Sequence, residues 1–183
     1  MTTIKTGRLT LRPIEASDAA RFATLCNDID IARNTARVPH PYTPKDAYLF
    51  VELMMKAFRD GTEYAFAVCE EGEIIACAGV MALGEKTSEI GYWVGAGYRG
   101  RGVATQAARA VTQFAVDKLG AGEVLSGHFK DNPTSGRVLQ KVGFRPTGET
   151  EWIMSAGRGE KAESLRLSLD LSAFERDSDI RFA

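Results

Sequence analysis

From Thr6 to Pro13 apolar and polar residues alternate, which predicts a strand with Leu9 and Leu11 on one face. Glu15 to Asn27, alanine-rich and carrying Phe22 and Leu25, predicts a helix. Asp28 to Tyr42 holds two prolines and no steady period, the mark of a loop or a broken helix. Thr43-Pro44 reads as a helix start, with threonine as cap and proline in the first turn. Behind it Ala47, Phe50, Val51, Met54, Met55 and Phe58 fall on one stripe at helical spacing, and a methionine stripe of this kind belongs in a core.

Tyr64 to Cys69 and Ile74 to Leu83 are apolar strands joined at Glu71-Gly72, a hairpin signal. Ser88 to Gly95 is a third central strand. Ala104, Ala107, Ala108, Val111 and Ala115 give the next helix a small-residue face suited to close packing on a sheet. Glu123 to Phe129 is a strand, Asn132-Pro133 starts a helix and Gly143 ends it. Trp152 to Ala156 and Ser164 to Leu171 close the series as strands, leaving residues 172–183 as a tail. The order β-α-α-β-β-β-α-β-α-β-β predicts one mixed α/β domain over residues 1–183, its core at about 7–171.

Composition narrows the chemistry. With 44% apolar and 26% charged residues the chain has the balance of a soluble globular protein. Its 23 basic and 24 acidic side chains argue against nucleic acid or an anionic membrane as partner, so charge for a phosphate must be local. Cys26, Cys69 and Cys77 lack C-x-x-C spacing, which disfavours disulfides and zinc and fits a reducing cytoplasm. His40 and His128 are too few for a histidine-rich metal site. The segment MTTIKTGRLTLRP has no apolar signal core, and no apolar run is long enough for a bilayer, so an unexported protein is expected.

The stretch WVGAGYRGRGVATQAARA, residues 93–110, carries two glycine patterns. Gly95-x-Gly97-x-x-Gly100 has dinucleotide-turn spacing, which calls for an acidic residue about 20 positions on, at the end of the next strand. Asp131 ends that strand but lies 31 residues beyond Gly100, Glu123 opens it, and no run of further βα units follows. That context argues against NAD(P). Arg99-Gly100-Arg101-Gly102-Val103-Ala104, entering a helix, presents successive N–H groups to an anion, and its two arginines supply local charge. A glycine-rich turn with solvated arginines is the plainer reading of the same residues.

The neighbouring motifs bear on that choice. Ile90-Gly91-Tyr92-Trp93-Val94 before the loop, and Asn132-x-x-Ser135 with Lys141-x-Gly143-Phe144 after the next strand, resemble the GNAT N-acetyltransferase superfamily. Arg99, Gly102 and Ala104 match its acyl-CoA loop, Arg/Gln-x-x-Gly-x-Gly/Ala. Gly7-Arg-Leu-Thr-Leu-Arg-Pro13 and Gly157-Arg158-Gly159 are similar to the ribosomal-protein N-terminal acetyltransferases of RimJ/RimL type. The resemblance spans roughly residues 7–171. It implies an α/β fold with a single mixed, mostly antiparallel sheet, two central splayed parallel strands and helices on both faces.

It also implies acetyl-CoA as cosubstrate and no metal. On that analogy the backbone of Trp93 and Val94 pairs with the pantetheine arm and polarises the acetyl carbonyl. Gly100 to Ala104, Val103 included, take the pyrophosphate with Arg99 and Arg101 beside them. Asn132 caps its helix and bonds the pantetheine amides, and Lys141 is a further cofactor contact. The implied reaction is direct attack of an amine on the thioester, with no cysteine nucleophile. Two usual participants are missing: Leu139 stands where many members carry a tyrosine acid, and Gly127 where RimI-type enzymes carry a glutamate base. Ser135 is left as thiolate proton donor or as a helix-start serine, Glu89 as base or as a solvent-facing carboxylate, and His128 as packing. The branch implies a peptide N-terminus as acceptor; a small amine stays open, as does an acyl-CoA-binding module without turnover. Residues 28–42 and the turn around 156–160 are expected to wall the acceptor site. Nothing in the sequence reports oligomeric state.

Overall fold

The computed structural model describes residues 2–183. The first expected strand is a hairpin: β1 (Ile4–Thr6) turns at Gly7, whose φ of +51° suits glycine, into β2 (Leu9–Pro13). Ile4, Leu9 and Leu11 share its buried face. The next helix is shorter than expected, because Glu15 opens a 3-10 turn over Ala16–Asp18 and donates its N–H to Asp18 at 2.8 Å. α1 (Ala19–Cys26) follows. Of the two readings of residues 28–42, the broken helix holds in part: Asp28 caps α2 (Ile29–Asn34) by accepting the Asp30 N–H at 2.8 Å. α3 (Pro44–Asp60) starts in a Thr43–Asp46 capping box and ends at left-handed Gly61. Met54 is buried in its stripe.

β3 (Glu63–Glu70) and β4 (Glu73–Ala82) meet through Glu71 and Gly72, both at positive φ, the pair of left-handed residues that a tight hairpin requires. Then come β5 (Thr87–Val94), α4 (Val103–Lys118), β6 (Glu123–Phe129), α5 (Pro133–Val142), β7 (Phe144–Ser155), β8 (Glu160–Leu169) and β9 (Arg181–Phe182). One sheet runs β7-β8-β6-β5-β4-β3-β2-β1-β9, antiparallel except for the parallel pair β5–β6. Each sheet face has its own core. Phe66 and Val68 of β3 pack toward α4 and α5, while Ala65, Ala67 and Cys69 pack toward α1 and α3.

Two expectations near the C-terminus are corrected. β7 begins at Phe144 rather than Trp152, its ladder with β8 bridging an irregularity between Pro146 and Thr150. Residues 172–183 are packed rather than a tail. Phe174 and Ile180 are buried, β9 pairs with β1, and Phe182 meets the Phe114 ring at 6.2 Å. No helix among the described residues is long and apolar enough to cross a membrane.

Candidate active site

β5 and β6 pair only from Thr87↔Glu123 to Glu89↔Leu125 and then part. The Ser126 hydroxyl donates across the opening to the Ile90 carbonyl at 3.0 Å. The direction of each peptide group on β5 follows from alternation. Leu83 N–H donates to Thr87 O at 2.9 Å and Gly95 N–H to Ile75 O at 3.0 Å, so odd-numbered residues face β4. Lys86 O, accepting from Gly122 at 2.8 Å, and Ile90 O face β6. Tyr92 and Val94 therefore present backbone groups to the fork. Trp93 turns its own toward Cys77 of β4 and packs its ring edge-on to Phe22, 5.7 Å between centroids. Of the two residues expected to offer backbone to a cofactor, Val94 faces the fork and Trp93 does not; its neighbour Tyr92 does.

Beyond the fork, Gly100 and Gly102 hold φ of +75° and +80°. Gly102 is the N-cap of α4 and supplies no side chain to cap it, so the first-turn N–H groups look outward. Val103 buries its side chain in the core and contributes backbone alone; Ala104 is half-buried. This is an anion cradle of backbone donors. The arginines stand differently from expectation. Arg99 pairs with Asp28, and with Asp30 at 3.1 Å, while its Nε donates to Val94 O at 3.1 Å. Arg101 pairs with Glu70 at 2.8 Å, which Arg8 also engages. Their charge is already matched, so what the loop offers an anion is its backbone N–H groups. Gly95, first of the dinucleotide-like glycines, is a packing residue: a Cβ there would sit 2.8 Å from Leu25 and 3.2 Å from Ile75 O.

Asn132 accepts the Ser135 N–H at 3.3 Å and caps α5, leaving its amide nitrogen without a partner among the described residues. Ser135, in the first turn of α5, meets Tyr92: the two hydroxyls are 2.9 Å apart, and the Tyr92 hydroxyl also reaches Ser135 O at 3.1 Å. Burial pushes the Tyr92 phenol up to about 12, so it stays protonated and available as a donor. Leu139 is fully buried on the core side of the same helix. Lys141 is exposed at its far end, outside the cleft lining, and only its carbonyl is engaged, by Arg109 at 2.8 Å. His128 is half-buried in the cleft lining: its Nδ1 lies 2.9 Å from Phe129 O and its Nε2 rests where a Cβ on Gly136 would come within 2.6 Å.

On the opposite sheet face Glu89 is held fork-to-fork by Arg166 of β8, at 2.9 and 3.0 Å. The pair crosses β6 above Gly127, where a Cβ would lie 3.1 Å from the Arg166 guanidinium. Glycine at 127 thus makes room for a carboxylate contributed by the other strand. The fork opens on this face into a cleft of about 520 Å³, walled by residues 34–39, α3 and Trp93. Burial raises all three thiols, Cys26 to about 12, so none is poised as a nucleophile; Cys77 lies in the cleft floor. The described residues hold no cluster of three or more His, Cys, Asp or Glu able to bind a metal.

Residues 8–145 match the family described as Acetyltransferase (GNAT) domain. The chain belongs to the GNAT acetyltransferase family. It is an acetyl-CoA-dependent N-acetyltransferase. Among relatives, an uncharacterized N-acetyltransferase, YoaA of Bacillus subtilis (strain 168), is 27% identical over 150 residues, covering 79% of this chain and 84% of that one. Among solved structures, Mycobacterium smegmatis RimJ in complex with CoA-disulfide aligns with a TM-score of 0.82 at 18% identity, over 98% of this chain and 91% of that one. A microcin C7 self-immunity acetyltransferase, MccE, in complex with acetyl-CoA and AMP, gives 0.78 at 20% identity, over 88% and 91%.

Of the acceptor walls expected for this GNAT acetyltransferase, residues 34–39 line the cleft, while the 156–160 turn buttresses them from behind. Arg158 donates to Arg33 O at 2.8 Å and grips Asp131, and Gly157 lies against α2. A Cβ on Gly157 would come within 2.5 Å of Ala32 backbone. Gly157→Ala is expected to cost about 1–3 kcal/mol of stability through overpacking, read as a lowered urea midpoint. Tyr92 and Arg166 are the site residues that sequence reasoning missed. For Tyr92 a signal existed, since strand alternation puts it on the face opposite Trp93.

Proposed function

We propose that this GNAT enzyme transfers the acetyl group directly to a primary amine at a peptide N-terminus, with acyl donor and acceptor meeting at the β5–β6 fork. The observation that carries this reading is the Tyr92–Ser135 hydroxyl pair, 2.9 Å apart, at the place where the strands part. It supplies the proton donor that Leu139 does not.

In this reading acetyl-CoA fills the fork as a strand-like arm between Val94 and Asn132, its pyrophosphate on the N–H groups from Gly100 to Ala104. The Val94 or Tyr92 N–H polarises the acetyl carbonyl; oxyanion donors of this kind are worth about 3–4 kcal/mol. The amine enters from the cleft face, its ammonium held by the Glu89 carboxylate, whose oxygens keep lone pairs free beside Arg166. After loss of one proton to solvent the neutral amine attacks the carbonyl carbon. The C–N bond forms, the tetrahedral intermediate collapses and the C–S bond breaks. Sulfur takes the Ser135 proton, Ser135 is resupplied by Tyr92, and the second amine proton restores Tyr92 through solvent. Products are the N-acetyl amide and CoA thiol.

The acceptor assignment rests on protonation as well as on the RimJ/RimL-like chain ends. An α-amino group has a pKa of about 7.7–8.0 against about 10.4 for lysine, a gap of roughly 2.5 units or 3.4 kcal/mol of deprotonation. A site whose carboxylate is already engaged by an arginine suits the amine that needs least help. In a competition between a peptide with a free N-terminus and its N-blocked counterpart carrying lysine, the free N-terminus should be acetylated preferentially. Preference for the blocked peptide would overturn the assignment, and turnover of neither, with small amines acetylated, would replace it by a small-molecule acceptor.

A further inference from the structure

Gly91 lies in the middle of a central strand of a nine-stranded sheet and is nonetheless exposed. Its φ is outside the left-handed range, and a Cβ built on it would meet nothing within 4 Å. Neither backbone conformation nor packing calls for glycine here, and a strand interior loses stability by having one. The neighbouring glycine behaves otherwise: Gly79, directly opposite on β4, is crowded, since a Cβ there would come within 2.9 Å of Tyr64 O. What remains at Gly91 is open volume. It belongs to the cleft, and it lies between the two same-face residues Glu89 and Trp93, each about 7 Å away along the strand.

The cleft's charge narrows what can fill that volume. Its lining carries Asp46, Glu63 and Glu89 against Arg37 and Arg166, and two of the three carboxylates are each gripped by an arginine. That balance is nearly neutral, unlike the acidic trough a polycation needs. The apolar part of the cleft lining includes Trp93 on the strand with Phe50, Leu53 and Met54 from α3.

Resting on the reading of a peptide N-terminus as acceptor, we infer that the volume over Gly91 is the specificity pocket for the first side chain of that peptide, and that it selects a large apolar residue. The α-ammonium sits on Glu89 toward the fork and the side chain drops onto Gly91 against Trp93. A polyamine gains nothing from these walls, and an acidic first residue would bury a charge without a free partner.

The test measures CoA release from acetyl-CoA with otherwise identical peptides beginning in Leu, Phe, Gly or Asp, and with spermidine. Each is run on wild type, Gly91→Ala and Gly91→Leu. Burying such a side chain is worth about 1.5–3 kcal/mol, so kcat/KM for Leu- or Phe-first peptides should exceed that for Gly-first by about 10- to 150-fold. Gly91→Leu should erase that preference while leaving the acetyl-CoA-induced thermal shift near wild type. Gly91→Ala, the variant safest for folding, should reduce the preference partway. Equal or better turnover of Gly-first, Asp-first or spermidine by wild type would overturn the pocket while leaving acetyl transfer intact. An unaltered preference in Gly91→Leu would do the same. No release with any peptide, despite a normal acetyl-CoA shift, would instead remove the peptide reading on which the pocket rests.

Discussion

Gly102→Val is expected to abolish the thermal shift that acetyl-CoA produces. At 100 times its Kd a ligand adds about 2.7 kcal/mol to stability, which for a chain of this size is a rise of roughly 5–10 °C in Tm. The argument is local. Gly102 opens α4 at φ +80°, and the adjacent N–H groups are uncapped by any side chain. A Cβ at 102 meets no protein atom, so the branches of valine project into open space in front of those donors. A β-branched residue also strains a left-handed position, by about 1–3 kcal/mol, so the shift must be read against the variant's own Tm. Neutralising Arg99 or Arg101 should matter less, because Asp28, Asp30 and Glu70 already hold them. An undiminished shift in Gly102→Val would mean that the pyrophosphate is held elsewhere.

Ser135→Ala should lower kcat by about 10²-fold or more while leaving the KM for acetyl-CoA within a few-fold, since general-acid contributions run from about 10² to 10⁴. Tyr92→Phe should fall in the same direction, because it removes the hydroxyl that resupplies Ser135 and little else: the phenol bonds Ser135 only. If the two hydroxyls work as one relay, the double variant should be scarcely worse than Ser135→Ala. Steady-state kinetics on the three variants decide the matter. Independent, multiplicative losses would break the relay apart, and an unchanged kcat in Ser135→Ala would return Ser135 to a helix-start role and leave the proton to water.

Much of this site was legible because its chemistry is local in sequence. The Arg99–Ala104 turn, the Asn132 cap and Ser135 each announce themselves within a few residues, as do the caps of α3 and the Glu71-Gly72 hairpin. What stayed hidden depends on residues far apart. Arg166 is 77 positions from the Glu89 it grips, and the reason Gly127 is glycine appears only when β5, β6 and β8 lie side by side. Tyr92 and Ser135 are 43 positions apart, and no periodicity brings a strand residue to a particular turn of a later helix. The resemblance pointed to Trp93 and Val94 together, but only the β4 register shows that Trp93 turns its peptide groups to β4 while Val94 faces the fork. α2 escaped because six residues are too few to show a period, and β9 because two residues on a sheet edge carry almost no pattern.

The parting of β5 from β6 also divides the sheet mechanically. Three residue pairs are all that zip the β7-β8-β6 block to the six strands on the other side. Below the fork, the two blocks communicate through the Ser126–Ile90 bond, the Glu89–Arg166 clasp and the helices laid across them. In the proposed placement, an acyl donor lying in the fork would supply the missing rungs and make the sheet continuous across the seam.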